Sequence, residues 1–472
     1  MVISNCNSRS RRRLRPGVAY ILSLVILMLC TSLAVTLAAG NNLNLARAEN
    51  MEKSFTAQVS AESGLAFMLQ TIADASVSGN TTYEALTSDI ASALGEVMHE
   101  TANLGESTIT YTDSTVTVPT ITVGDLAFAC TITRLSPDSE SNQQCRVSVT
   151  GSSDGVSRTV SLEMKLEMTP PGAFSYGIAT RGKIDIYGNA KIRSMGDPSD
   201  ANVFSAAAYS TIIKAWGNAE LDGDICLTSD NISTVNLSGN VEIGGEDDID
   251  DILNDHVQLG QDPPDFPEVD LTPFPALATN VVTPSTTIKD CVLENLYVPA
   301  GLNPKFEGNT IINGIVYIEA PNKVLFCGNL VLNGFIVTED GSDLPLSNNK
   351  LEFEGNLIVP GVDVLPNIPK FEGVKAQRGV AVLAPGFQLE FYGNNSTING
   401  MIVGDKLSFW GNSSMGGQLT GTILCLTDEP MMLEGNTEIT INRQDDGFLP
   451  AGFKYVSKLS VVPNSYAESN GQ

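Results

Sequence analysis

Nine Gly-Asn dipeptides beyond residue 172 constrain this chain more than any other feature. They begin at 188, 217, 239, 308, 328, 355, 393, 411 and 435, at intervals of 29, 22, 69, 20, 27, 38, 18 and 24 residues. Glycine turns a corner with φ > 0 at no steric cost, and Asn tolerates such a corner next best. Two positions before each glycine stands a large apolar residue, Ala215 excepted. In five cases it is Phe: Phe306, Phe326, Phe353, Phe391 and Phe409. Six positions after the glycine another often follows, at Gly223, Gly245, Gly314, Gly334, Gly361 and Gly417. Two units nearly superimpose, FEGNTIINGIV from Phe306 and FCGNLVLNGFI from Phe326.

Short β runs and Gly-Asn corners in units near twenty residues, without a helical period, predict a parallel, right-handed β-solenoid over residues 172–450. Its stacked corners would be Gly188-Asn189, Gly217-Asn218, Gly239-Asn240, Gly308-Asn309, Gly328-Asn329, Gly355-Asn356, Gly393-Asn394, Gly411-Asn412 and Gly435-Asn436. Asn at such corners can hydrogen-bond up and down the stack as a ladder, with the preceding aromatic inside the coil. About nine to eleven coils at ~4.8 Å each give a cylinder of roughly 45–55 Å. The unequal intervals leave an all-β sandwich as the alternative. The 69-residue interval reads as an excursion over about 246–290, leaving the solenoid and returning near Cys291. It opens with the acidic run Glu246-Asp247-Asp248-Ile249-Asp250-Asp251 and carries Pro263, Pro264, Pro267, Pro273 and Pro275. Calcium could bind such oxygens, but EF-hand spacing and its glycine are missing, so a solvated loop is the expectation.

The other end of the chain is equally directive. Arg9, Arg11, Arg12, Arg13 and Arg15 precede an uncharged apolar run from Val18 to Ala39. Some twenty residues at ~1.5 Å each span the ~30 Å core of a bilayer. The basic end should stay cytoplasmic and the remainder should be exported. Beyond the span, Ala48, Met51, Phe55, Val59, Leu65, Leu69 and Ile72 recur at three- and four-residue steps, a stripe continuing the same helix. Glu62 falls on that stripe and must be solvated or paired. Two plainer readings exist: a secretory signal cut after Thr36-Leu37-Ala38, and a twin-arginine signal at Ser10-Arg11-Arg12, which lacks the rest of its pattern.

The leader Arg11-Arg12-Arg13-Leu14-Arg15-Pro16-Gly17, the run Val18-Ala19-Tyr20-Ile21-Leu22-Ser23-Leu24 and the close Ala61-Glu62-Ser63-Gly64-Leu65 together resemble the N-terminal segment of type IV pilin-like proteins, specifically PilX-type minor pilins. The resemblance implies cleavage between Gly17 and Val18 by a prepilin peptidase and packing of the freed helix into a filament or pseudopilus. Val18 stands where pilins usually have Phe or Met, and Leu22 where major pilins carry Glu, which fits a minor, initiating or tip-like subunit.

Between the two regions the period changes. A helix is expected at Tyr83–His99, then strands at Thr108–Tyr111, Val116–Val118, Ala127–Ile132, Cys145–Val149 and Val160–Leu166. Thr112-Asp113-Ser114 and Gly151-Ser152-Ser153-Asp154-Gly155 read as turns. This is an antiparallel sheet lying on the helix, so the chain as a whole is α+β: leader 1–17, helix 18–75, head 76–168, solenoid 172–450, and a last strand and tail 451–472. Cys130 and Cys145 flank a polar loop, and in an oxidising compartment a disulfide is expected there. The other cysteines are scattered, with no Cys-x-x-Cys.

Acidic residues number 54 against 27 basic, and without the five leader arginines 54 against 22. Such a surface repels nucleic acid. No cofactor, metal or catalytic set is expected: the exported part has only His99 and His256, and Gly-x-Ser-x-Gly, Walker and Rossmann patterns are absent. The position just before Gly-Asn carries Glu307, Glu354 and Glu434 but also Tyr187, Trp216, Tyr392 and Trp410, an exposed corner face that could stack on sugar rings. The reading that follows is an inner-membrane, pilin-like envelope protein, a minor structural or assembly component of a type IV pilus or pseudopilus, with other pilin-like subunits as partners. A surface adhesin or carbohydrate-binding solenoid on a signal anchor is second, and a polysaccharide-degrading enzyme third.

Overall fold

The computed structural model describes residues 16–75, 77, 82–99, 101, 103–105, 107–124, 126–135, 143–393, 397–411, 414–443 and 449–470. Two compact units emerge, one from residues 1–77, 81–167 and 458–472, the other essentially from 168–457.

In the first unit, helix α1 runs unbroken from Pro16 to Asp74, 59 residues. Its N-terminal half has no charge, and its hydroxyls are satisfied along the helix itself: Thr31 Oγ1 donates to Leu27 O (2.9 Å) and Thr36 Oγ1 to Ser32 O (2.8 Å). The helix is long and apolar enough to cross a membrane. Gly17 and Val18 lie in its first turn.

The other half packs, but only Leu65 and Ile72 of the expected stripe are buried. Met51 and Phe55 are exposed, and Val59 and Leu69 only half-buried. The buried face is Ala57, Ser60, Ala61, Gly64, Leu65, Met68, Thr71 and Ile72. Small residues dominate because the sheet comes to backbone distance. A Cβ on Gly151 would lie 2.2 Å from Ala57 O, and one on Gly64 would lie 2.4 Å from the Phe128 ring. Ser60 Oγ donates to Ala127 O at 2.7 Å and Thr71 Oγ1 to Phe67 O at 3.0 Å, so both hydroxyls of the buried face are satisfied. Glu62 points to solvent and accepts from Gln58 Nε2 at 3.0 Å.

Helix α2 spans Leu86–Met98. The sheet is a meander of β1 (Thr110–Tyr111), β2 (Thr115–Val123), β3 (Leu126–Arg134), β4 (Gln144–Ser153) and β5 (Val156–Thr169), each antiparallel to the next. The turn after β4 is tighter than expected, only Asp154-Gly155, both with positive φ. The expected last strand is present as Val456–Val461, and the segment after it adds a further strand, Ala467–Asn470, both pairing with β5 in this sheet.

The expected Cys130–Cys145 disulfide is corrected by the register of this sheet. Cys130 faces Val149, and Cys145 faces Arg134. β3 continues four residues past Cys130 before the chain turns, so the two thiols are separated by on the order of 13 Å of strand. A bridge needs Cα atoms within about 7 Å. Both cysteines are free and buried, and burial pushes each thiol up to about 12. The loop they flank, residues 136–142, lies outside the described residues.

In the second unit, successive circuits of chain lay parallel strands into three columns. The first column, in spatial order, holds Val235–Gly239, Ile213–Gly217, Ile184–Gly188, Met431–Gly435, then the segments ending at Phe409, Phe391, Phe353, Phe326 and Phe306. The second runs from Glu242–Ile243 through Glu220, Lys191, Glu438, Ser414, Thr397, Asn356 and Asn329 to Asn309 and Val292. The third runs from Val257 through Ile225, Val203, Ile178, Ile423, Ile402, Val382, Ile336 and Val316 to Leu296 and Asn280.

Sequence order and stacking order therefore differ. The chain enters mid-stack at Ile178 and climbs to one end at Gln258. It then crosses to the opposite end near Asn280 and climbs back until its last circuit docks on its first. At that seam Gly435 pairs with Gly188, Glu438 with Lys191 and Ile423 with Ile178. Its backbone bonds are as regular as elsewhere, with Asn189 N to Gly435 O at 2.7 Å and Met431 N to Lys183 O at 2.9 Å. Side chains also cross it, Arg193 reaching Glu438 on one side and Glu220 on the other.

The excursion is what makes this order possible. Asp248 caps the helix Ile249–Asp255 by accepting from Asp250 N and Asp251 N, so the acidic run begins a helix and is not a plain loop. An extended, proline-rich strap then descends the outer side of the third column. Gln261 N bonds Leu227 O, Asp265 O accepts from Ala173 N, Phe274 is fully buried edge-on to Phe335 (5.7 Å), and Val282 N bonds Tyr297 O. The third column is thus buried on both faces, which is why Ile315-Val316-Tyr317-Ile318 and Ala381-Val382-Leu383-Ala384 read as unbroken apolar runs. At the lower end Asp290 stands where another Gly-Asn would, its Oδ1 accepting from Asn309 N at 2.8 Å. The edge is thereby closed with a charge.

Candidate functional site

The Gly-Asn corners of the first column were the residues singled out by sequence, and the structure stacks them. Gly239, Gly217, Gly188 and Gly435 pair consecutively. Two forces hold such a corner. A Cβ on Gly217 would sit 2.5 Å from Gly188 O, and Gly217 itself has φ +102°, so both space and conformation demand glycine there. Among the described residues each following Asn except Asn309 donates its backbone N–H to the glycine carbonyl one circuit below, as in Asn218 to Gly188 and Asn356 to Gly328. The side-chain amides continue the ladder: Asn240 to Asn218 (3.0 Å), Asn218 to Asn189 (2.7 Å), Asn189 to Asn436 (2.7 Å), Asn356 to Asn329 (2.7 Å) and Asn329 to Asn309 (2.8 Å). Asn394 and Asn412 lie outside the described residues; Gly393 and Gly411 keep their places in the column, since Gly393 meets Gly355 O and Gly435 meets Gly411 O. The second glycines align once only, Gly314 with Gly334.

Inside the corner, Phe306, Phe326, Phe353, Phe391 and Phe409 form one continuous pile of rings, with centroids 5.0, 5.1, 4.8 and 4.9 Å apart and planes within 12° of parallel. All five are buried.

Outside the corner, the residue before each glycine forms a second column, whose order follows the stack. From the upper end it runs Ser238, Trp216, Tyr187, Glu434, Trp410, Tyr392, Glu354, Cys327, Glu307. Trp216 and Trp410, 194 residues apart in the chain, come to lie three steps apart in one column, on opposite sides of the seam. Trp216 is 55% exposed and Tyr392 42%. Tyr392 and Trp410 stack at 6.4 Å with planes 12° apart. Lys214 Nζ lies over both the Tyr187 ring (5.2 Å) and the Trp216 ring (5.5 Å). Tyr392 donates its hydroxyl to Glu390, and burial together with that carboxylate pushes the phenol up to about 12. An open cavity of about 390 Å³ sits on Tyr187, Gly188, Trp216, Gly217, Ser238 and Gly239.

Other titratable groups stay apart. His256 pairs with Asp224 (Nδ1 to Oδ1 2.9 Å), and His99 ends α2, in the other unit. Asp405 is buried, and burial holds its carboxyl above the usual carboxylate range, but no second acid joins it within hydrogen-bond distance among the described residues. Among the described residues no three His, Cys, Asp or Glu side chains gather as metal ligands would.

Sequence reasoning named every member of the aromatic column but not their adjacency. The signal was the shared position before Gly-Asn; the missing datum was the order of the circuits.

No family model matches the sequence, and no curated protein matches it. Among solved structures, the competence-associated pilin ComZ from Thermus thermophilus is similar over 89% of this chain and 98% of its own, at 11% identity and a TM-score of 0.31. A likeness that loose transfers neither fold nor function.

Proposed function

We propose that this chain is a pilin-like envelope protein, a minor structural or assembly subunit of a type IV pilus or pseudopilus. It is held in the inner membrane by α1 with its N-terminus cytoplasmic, and its second unit is an extracytoplasmic, right-handed β-solenoid. The role is structural and not catalytic. The observation that carries the reading is α1 itself: one 59-residue helix whose first half is apolar and exposed and whose second half packs on an antiparallel sheet. The five arginines ahead of it and the resemblance through Gly17-Val18 and Ala61–Leu65 add the orientation and the processing step.

The test is the mature N-terminus of protein extracted from membranes, read by intact mass. A chain starting at Val18 is the expected result, because cytoplasmic cleavage leaves the apolar helix attached. A start at Ala39 would mean a cleaved secretory signal, and retention of Met1 a plain signal anchor; either contradicts the reading.

A further inference from the structure

We propose that the outward column Trp216–Tyr187–Glu434–Trp410–Tyr392–Glu354 is a binding ledge for a neutral polysaccharide chain. It runs along the stack axis on the first column of strands. The ledge does not depend on the pilin-like reading, since it is built wholly from the second unit.

Three features select the ligand class. First, the ring-bearing positions repeat at the strand spacing of ~4.8 Å, so two aromatic pairs, with Glu434 between them, cover four steps or about 19 Å along one line. A line of partly exposed aromatic rings suits a polymer of sugar rings, whose C–H-bearing surfaces pack on the exposed aromatic carbons while its hydroxyls point sideways. Hydroxyl partners flank the line: the carboxylates Glu434 and Glu354 are exposed, and Lys214 lies beside the upper pair.

Second, charge excludes the commonest other guests of an aromatic ledge. Nucleic acid bases would stack equally well, but the chain carries a net charge of −27 and the ledge itself holds Glu434 and Glu354. A cationic peptide would suit the carboxylates, yet beside the Tyr187 and Trp216 rings it would meet the like charge of the Lys214 ammonium, which a sugar hydroxyl can instead accept from.

Third, the column holds two exposed aromatics, Trp216 and Tyr392, and two half-buried ones, Tyr187 and Trp410, interrupted by acids, where a protein–protein contact of core type would carry an unbroken apolar patch. At the upper end Trp216 and Tyr187 border a shallow, open depression that leaves the line of rings accessible to a chain-like ligand.

The chain offers its own reporter. Its only two tryptophans are Trp216 and Trp410, one in each aromatic pair, so intrinsic tryptophan fluorescence reads the ledge and nothing else. The full chain in detergent would be titrated with hexasaccharides of β-1,4-linked glucose, β-1,4-linked N-acetylglucosamine and α-1,4-linked glucose, alongside heparin and polylysine. A saturable fluorescence change with at least one neutral hexasaccharide is expected, together with about tenfold weaker binding in Tyr392→Ala, a loss of 1.4 kcal/mol. Trp216→Ala, followed through Trp410, should weaken binding similarly. Tyr111→Ala, an exposed tyrosine in the other unit, should not. Trp216→Phe keeps a ring and should retain most of the affinity, which separates loss of stacking from loss of fold. No saturable change with any neutral sugar overturns the proposal, as does undiminished binding in both alanine variants. A response to heparin or polylysine alone also overturns it, in favour of a polyanion or a cationic peptide.

Discussion

Phe353→Ala is expected to destabilise the second unit by about 3–5 kcal/mol, the range for removing a fully buried Phe. The upper part of that range applies here. Phe353 is the middle ring of the five, stacked on Phe326 at 5.1 Å and on Phe391 at 4.8 Å. Each neighbour is fixed by its own strand, in register with the next circuit, so neither ring can drop into the space that alanine leaves. Phe306→Ala, at the end of the pile, should cost less, because among the described rings Phe306 stacks only on Phe326 and the terminal circuit can relax around it. Denaturant titration of the full chain, followed by far-ultraviolet circular dichroism, would order the two.

Gly355→Ala should be the second severe change, at ~3 kcal/mol or more. The reason is space and not dihedral strain. A Cβ at Gly355 would sit 1.9 Å from the carbonyl oxygen of Gly328, and Gly393 above approaches Gly355 equally closely. The Gly328 carbonyl cannot retreat, since it already accepts from Asn356 N at 2.8 Å. Gly245→Ala is the contrast. Gly245 has φ +88° but nothing within 4 Å of a Cβ, so only the left-handed conformation is penalised, at about 1–2 kcal/mol. Equal losses at the two sites would contradict the close approach at Gly355 as the source of its cost.

What was legible in the sequence was local. The Gly-Asn corner, the Phe two residues before it and the exposed residue one before it are all properties of a single circuit, and each circuit declares them. The order of circuits was not legible, because every corner is chemically equivalent and any circuit could dock on any other. The 69-residue interval marked the discontinuity, but only the strap's contacts with Leu227, Ala173, Phe335 and Tyr297 reveal that it travels from one end of the stack to the other.

The head shows a different limit. Alternation placed Cys130 and Cys145 in strands correctly, but pairing register depends on where β3 ends. Four further residues to Arg134 were enough to part the thiols. On α1, large apolar residues drew attention to Met51 and Phe55, whereas a sheet approaching within contact of the backbone needs Ala57, Ala61 and Gly64. Hydrophobicity identified the helix, and residue size chose its buried face.

The order of circuits is the central claim, and a pair of cysteine substitutions tests it. Asn189 and Asn436 are adjacent rungs of the amide ladder across the seam, 247 residues apart in the chain and joined at 2.7 Å. Neighbouring strands ~4.8 Å apart fall inside the Cα range of a disulfide. Asn240 and Asn309 are consecutive corners in sequence, yet the structure puts them at opposite ends of the stack. Under mild oxidation, Asn189→Cys/Asn436→Cys should yield a linked pair of tryptic peptides, and Asn240→Cys/Asn309→Cys should not. A bridge between 240 and 309, with 189 and 436 left open, would mean that the circuits stack in simple sequence order and that the seam does not exist.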